Sequence, residues 1–548
     1  MKYRSSCGAF AFSAAIATAL LLLLPAFGAD AADRRHSTDR LIVRLADWAD
    51  ADRAQPMSTD RARALSVVAR TRLDPMRRMS GGAHVVRLTH DMALADVEAM
   101  AERLMMDPAV VHAEPDRRKF PMLAATDPLY TNQWSLFEPV GGINAPLAWD
   151  VTTGSPMVVV AILDTGILPA NVDLVGRLVA GYDFVREDSA GVFLTANDGD
   201  GRDPDPSDPG NWITMAEAGQ GPFTDCKQPE NSTWHGTHTA GIIAASANNG
   251  YGIAGIAWSV RVLPVRVLGK CGGYTSDIID AIRWSAGIAV TGAPANANPA
   301  QVLNLSLGSP GPCGAEEQAA IDDALATGRV RAIVTAAGNE GGDSTVVAPG
   351  NCADVITVTA TDRSGSRAPY ASTGANVTVA APGGFFPMGA TSGANGILSL
   401  FNTGTTTPVA DSFAFAAGTS EAAAHVSGVV ALMLSVNPGL SAADVQATLR
   451  GTARAFPDAT CSMSTCGTGI VNAAAAVMAS TMPAESSMPV SMPTAGMSSG
   501  MSGGGGGGCT IARGGAPDLA LPLLALWAVF AIARRARNGR RSPRTPRA

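Results

Sequence analysis

The chain has 548 residues, 46% apolar and only 16% charged, which excludes a largely disordered protein and leaves room for two or three packed units. Its net charge of −7 is unevenly spread, with 14 basic against 31 acidic side chains over residues 124–508. A body that acidic repels phosphate backbones, so nucleic acid is not an expected partner.

Met1 to Arg4 carries two positive charges, and an apolar run rich in Ala and Leu extends to Leu24, followed by Pro25 and small residues. This order predicts a secretory signal peptide over residues 1–29, cut between Gly28 and Ala32; an N-terminal membrane anchor is the alternative. In residues 30–123, segments 41–45 and 84–88 alternate like strands, and 110–113 reads as another. Residues 60–72 and 93–106 have helical spacing, with Leu94, Val97, Met100, Ala101 and Leu104 on one face. The β-α-β-α-β pattern predicts a small α+β, ferredoxin-like unit. Placed between a signal peptide and a larger body it reads as a pro-segment, with a free-standing accessory domain as the alternative.

Residues 124–479 alternate apolar β-branched runs (158–163, 260–267, 302–307 and 330–335) with helical patterns near 235–247, 276–290, 315–328 and 420–436. The runs suit strands buried on both faces, and the alternation predicts an α/β domain with a doubly wound parallel sheet. In such a domain the site lies at the carboxyl ends of the strands. Residues 480–508 are Ser, Met, Pro, Thr and Gly, a linker without a core. Cys509 then precedes a short apolar stretch, 519–533, and seven Arg. That plan resembles the C-terminal sorting signals of bacterial surface proteins, so 509–548 is expected to meet export and sorting machinery and to be membrane-embedded at least transiently. A permanent single-pass anchor is the alternative. The body is expected to be secreted or held at the cell surface.

Six cysteines remain in the body: Cys226, Cys271, Cys313, Cys352, Cys461 and Cys466. An even number in an exported chain points to disulfides; spacing alone does not choose the pairs, and the absence of Cys-x-x-Cys speaks against zinc.

Three motifs carry chemistry. Asp164 closes an apolar strand in Ile162-Leu163-Asp164-Thr165-Gly166, and His235 opens a small-residue helix in His235-Gly236-Thr237-His238. Ser420 opens another in Gly418-Thr419-Ser420-Glu421-Ala422. A serine nucleophile needs a base for its proton and a carboxylate to hold that base. Each motif alone is ordinary, and the His235/His238 pair without His-Glu-x-x-His does not make a zinc site. Together, in the order Asp, His, Ser, they match the order of subtilisin.

With these residues on the page, the segment from Asp127 to Val477 resembles the subtilisin-like serine proteases (peptidase S8 family), in their secreted bacterial branch. Gln133-Trp134, Gly142-Ile143-Asn144, Ala148-Trp149-Asp150 and Asn304-Leu305-Ser306-Leu307-Gly308 support the likeness. The resemblance implies a sheet of about seven parallel strands and endopeptidase activity on proteins through an acyl-enzyme. The pro-segment would be an intramolecular chaperone and inhibitor removed by the protease itself. By the same resemblance Ser420 is the nucleophile, His235 the base, Asp164 its support and Asn339 an oxyanion donor. Ser306, Leu307, Gly308, Ala337 and Gly338 would bind substrate. Resemblance pairs Cys226 with Cys271 and Cys313 with Cys352, and proximity pairs Cys461 with Cys466. A monomer is expected.

Two positions depart from the family: Glu421 where it has Met, and Ala424 where it has Pro. A first helical turn accepts Ala easily. A carboxylate beside Ser420 and His235 raises the histidine pKa or disturbs the pocket, which argues for the alternative of a weakened surface protein that binds peptides or partners. Structural Ca²⁺ is expected. Asp198, Asp200, Asp203, Asp205 and Asp208 crowd hard oxygen ligands into one Gly- and Pro-rich loop. Asp127 and Asp173 match family calcium ligands, with carbonyls expected from residues 248–253.

Overall fold

The computed structural model describes residues 37–46, 55–118, 124–387 and 393–481. The signal peptide, the linker and the C-terminal apolar segment read from the sequence lie outside these residues.

Residues 37–118 form a unit with its own core. Strand β1 (Ser37–Leu45) is followed by helix α1 (Thr59–Ala69), β2 (Asp74–Arg78), β3 (His84–Ala93), α2 (Leu94–Met105) and β4 (Val110–Pro115). The four strands are antiparallel in the order β2-β3-β1-β4, a split β-α-β fold. The sequence pattern missed β2. Its Asp-Pro-Met-Arg-Arg stretch has no apolar alternation, because this edge strand is half-exposed along its length. Helix α1 ends at Ala69 rather than at residue 72, since Arg70 takes a left-handed conformation (φ 57°) that closes the helix. Leu41, Val43, Leu65, Val86, Val97 and Leu104 fill the space between sheet and helices.

The body is built on β5 (Val159–Asp164), β6 (Tyr182–Asp183), α3 (His235–Ala244), β7 (Arg261–Arg266), α4 (Thr275–Ser285), β8 (Val302–Leu305), β9 (Ser309–Pro310), α5 (Ala315–Ala326) and β10 (Ala332–Ala336). After β11 (Val347–Ala348) come β12 (Ile356–Thr361), β13 (Val377–Pro382), β14 (Ile397–Asn402), β15 (Asp411–Ala416), α6 (Thr419–Val436), α7 (Ala442–Thr452) and α8 (Ala473–Ser480). Seven parallel strands lie in the order β13-β12-β10-β8-β5-β7-β6. From β5 the chain goes to the edge strand β6, returns to β7 beside β5, then crosses to β8 and runs outward through β10, β12 and β13, so the switch point of this doubly wound sheet lies between β5 and β8. β14 and β15 pair separately as an antiparallel hairpin.

One core packs α3, α6 and α8 against one face of the sheet, and a second packs α4 and α5 against the other. Among the described residues α6 alone is long and apolar enough to cross a membrane, and it is the buried central helix of the larger core. Its Ala- and Val-rich surface suits that place, since small side chains let it approach the sheet closely. Disulfides join Cys226 to Cys271, Cys313 to Cys352 and Cys461 to Cys466.

Candidate active site

The strand β5 is buried on both faces, and Asp164 at its carboxyl end is fully buried. A buried carboxylate needs hydrogen bonds. Asp164 Oδ1 accepts from Thr165 N at 2.8 Å, and His235 Nδ1 lies 2.7 Å from Oδ1 and 2.9 Å from Oδ2. The pair is close because α3 starts directly over the strand end. A Cβ on Gly236 would lie 2.2 Å from the Gly166 carbonyl oxygen, so only glycine permits this approach. Thr165 Oγ1 accepts from Gly236 N at 3.1 Å and donates to the buried Asp208 Oδ2 at 2.6 Å, tying strand end, helix start and Asp208 into one chain.

Burial opposes a charge on His235, but the charge and hydrogen bond of Asp164 outweigh it. With smaller help from Glu421 and Asp208, the imidazole is pushed up to about 9. The imidazolium is therefore well supported, which a base that takes a proton during reaction requires.

Ser420 sits in the first turn of α6, 9% exposed, behind Gly418 in extended conformation. Its hydroxyl donates to the Ser306 carbonyl oxygen at 3.1 Å, while Ser306 Oγ donates to the Ser420 carbonyl at 2.9 Å. Asn304 Nδ2 donates to Ser306 Oγ and Ser427 Oγ donates to Asn304 Oδ1, so the end of β8 and the start of α6 are held together by a polar ladder. Asn339, beyond the end of β10, accepts through Oδ1 from both Thr419 N and Thr419 Oγ1 at 2.9 Å. That fixes its amide orientation and leaves Nδ2 as a donor on the Ser420 side of the chain. Ala337 is fully buried beside it.

His235, Ser306, Leu307 and Gly308 line one cleft of about 550 Å³. A larger cavity of about 780 Å³ is lined by Arg186, Arg202, Asp280 and Arg283 and includes none of these residues.

Glu421 is buried, and its carboxylate faces His238 rather than the cleft, with Oε1 3.4 Å from Nδ1. Burial holds His238 below the ordinary histidine range. His425, one turn further along α6, bonds the Glu421 carbonyl through Nδ1, and burial lowers it to about 4. In the sequence His238 stands out only as half of a rejected zinc pair with His235, and His425 does not stand out at all, because a histidine in a small-residue helix reads as packing.

The acidic loop divides among separate partners. Asp198 and Asp183 both pair with the buried Arg266, while Asp200, Asp203 and Asp205 sit in local turns. Asp208 lies beneath Thr165. Among the described residues these carboxylates do not form a metal-sized cluster. Within the expected calcium loop, Asp198 and Asp208 already accept hydrogen bonds from a buried arginine and from Thr165 at the strand end.

Asp127 and Asp173 do converge on the 248–253 loop. Asp127 accepts from Asn248 N and Asn249 N, and Asp173 accepts from Asn249 Nδ2 and Ile253 N. Burial raises Asp173 to about 6, and among the described residues no ion pair neutralises it. A Cβ at Gly252 would lie 2.1 Å from Asp173 Oδ2, so the loop cradles this carboxylate as closely as a chain can. A buried carboxylate with no ionic partner among the described residues, raised further by the negative charges of Asp127 and Asp411, fits a calcium ion.

The subtilase family model matches residues 155–474. The extracellular protease of Xanthomonas campestris pv. campestris is 41% identical over 474 residues, covering 84% of this chain and 77% of that one. The extracellular basic protease of Dichelobacter nodosus is 42% identical over 354 residues, covering 65% of this chain and 55% of that one. A solved protease structure from Pseudoalteromonas arctica PAMC 21717 superposes with a TM-score of 0.60 at 46% identity, covering 65% of this chain and 100% of that one.

Proposed function

Because this chain belongs to the subtilase family and is a subtilisin-like serine endopeptidase, we propose that Asp164, His235 and Ser420 are its triad and that it acts outside the cell. The observation that carries this reading is the buried Asp164 carboxylate 2.7 Å from His235 Nδ1, at the switch point of the sheet. The relatives' description as extracellular proteases and the N-terminal charge and apolar pattern support export.

In the proposed reaction His235 Nε2 takes the Ser420 proton as Oγ leaves the Ser306 carbonyl and bonds the substrate carbonyl carbon. The imidazolium formed is stabilised by Asp164 and then protonates the leaving amine. Ser420 N and Asn339 Nδ2 donate to the oxyanion; Thr419 presets Asn339 for this, so no reorientation is needed at the moment of reaction. Ser306, Leu307 and Gly308 offer backbone along the cleft, where an extended substrate adds as a strand. Water or a second nucleophile releases the acyl group by the reverse sequence.

Residues 30–123 act as the enzyme's own inhibitor and are cut by it after folding; their separate core supports a unit that can leave intact. Asp127 and Asp173, with the 248–253 loop, hold a structural calcium ion, which supplies positive charge to a buried acidic site and takes no part in the reaction. The Glu421 carboxylate, directed at His238, leaves the cleft clear for an active enzyme. A fluorophosphonate probe should label Ser420 in the native protein and leave both Ser420→Ala and His235→Ala unlabelled. Labelling absent from correctly folded native protein would overturn the triad.

A further inference from the structure

The cleft that contains His235, Ser306 and Leu307 is also lined by Thr275 and Ile278 of α4 and by Glu317 of α5. Two of its lining side chains are acidic, Asp225 and Glu317, and no lysine or arginine lines it. Glu317 is unusual because it is only 6% exposed, and burial raises its pKa despite a backbone hydrogen bond at Gly314. Among the described residues no cation pairs with it. Cys352 Sγ lies 4.0 Å from Glu317 Oε2. That sulfur is bonded to Cys313, so it offers neither a proton nor a vacant ligand position, and the Cys313, Glu317 and Cys352 group is not a metal site. A nearly buried carboxylate without a positive partner is costly, and the cost is relieved when a cation enters and pairs with it.

We propose that Glu317 is a specificity-determining residue that selects a lysine or arginine side chain on the acyl side of the scissile bond. The side follows from Leu307 and Gly308, which continue from Ser306, the residue whose carbonyl holds the Ser420 hydroxyl. A substrate strand laid along them brings an upstream side chain over Leu307 to Glu317. The first turn of α5 favours the carboxylate form, and an entering guanidinium or ammonium completes a charge-assisted hydrogen bond shielded from water. The acidic excess of the body draws cationic peptides toward the cleft over longer range.

The inference rests on the reading of this cleft as the substrate site, and the test keeps the two apart. The mature native enzyme, Glu317→Gln and Glu317→Lys are assayed on internally quenched peptides. One series varies each acyl-side position among Arg, Lys, norleucine and Glu against a neutral background. At one of these positions the native enzyme should favour Arg and Lys over norleucine by about tenfold in kcat/KM. Within Glu317→Gln, Arg and Lys peptides should be cleaved no faster than the norleucine peptide, and Glu317→Lys should turn the preference toward Glu. Failure of the native enzyme to cleave any peptide would sink the substrate-site reading itself. Cleavage of neutral peptides with no basic preference, or a basic preference that survives Glu317→Gln, would overturn this inference alone. If the variants fail to fold, a native enzyme without basic preference still overturns the inference, as does loss of that preference in Asp225→Asn, which leaves Glu317 in place.

Discussion

Replacing Glu421 by Gln preserves the side chain's shape and removes its charge. Glu421 Oε1 lies 3.4 Å from His238 Nδ1. His238 follows His235 by three residues on α3, roughly 5 Å along the axis at a rise of about 1.5 Å per residue. The carboxylate thus acts on the His235 ring from on the order of 8 Å, worth roughly 2 kcal/mol at an effective dielectric constant of about 20. His238 does not cancel that charge, because burial keeps it below the usual histidine range and hence neutral above pH 7. Solvent at the partly exposed His235 reduces the effect, and about one pH unit is expected. A base must be neutral to accept the serine proton, so kcat/KM of the native enzyme should rise with pH through about 9, where burial opposes and Asp164 supports the imidazolium. In Glu421→Gln the rising limb should move down by about one unit, giving up to about tenfold more activity near pH 7.5. The assay is kcat/KM on a neutral peptide from pH 5 to 11, with active sites counted by fluorophosphonate titration so that misfolded protein does not enter the rate. A limb that stays in place in fully titratable Glu421→Gln would refute the argument and leave Glu421 a packing residue.

Asn339→Ala should lower kcat by about 10²–10³, the loss known for such a donor in subtilisin itself, with KM nearly unchanged; a raised KM at native kcat would contradict its role. Ser420→Ala should accumulate uncut precursor with the native circular dichroism, and normal trimming of the purified variant would refute self-processing. Asp173, raised by burial to about 6, favours the proton in the folded state, so calcium-free protein should lose stability as pH rises from about 4 through 6. Calcium in excess should then raise the Tm of the fluorophosphonate-inactivated protein by several degrees at pH 7, much less at pH 5, and not at all in Asp173→Asn. A Tm indifferent to calcium at pH 7 would remove the ion from the 248–253 loop.

The strands that build the centre of the sheet were legible because a parallel strand buried on both faces leaves an unbroken apolar run, as in residues 158–163 and 302–307. β12, β13 and the β14–β15 hairpin were missed: Ile356–Thr361 alternates Thr with apolar residues, and Thr357, Thr359 and Thr361 are buried by contacts the local pattern does not contain. Helix ends were overshot where one residue turns the chain, as Gly287 (φ +86°) does just beyond α4, which stops at Ser285 rather than 290.

Asp164, His235 and Ser420, the proposed triad, stand out in the sequence because each lies at a strand or helix end, where a short motif records both the side chain and its backbone setting. The partners that tune those residues come from distant parts of the chain. Asp208, read as a calcium ligand, supports Thr165 from 43 positions away, and Asp198 serves Arg266 across 68. Glu421 is adjacent to Ser420 in sequence, yet its direction toward His238 is decided by how α6 packs on α3. Nothing in the sequence singles out Glu317 in a helix whose first turn holds two acids; only the folded chain buries it in the lining of the cleft beside the Cys313–Cys352 bridge. A sequence records which residues stand at element ends and how apolar each element is. The direction of a charge, and whether it meets water, arginine or an unpaired histidine, depends on neighbours that only the folded chain brings within a few ångströms.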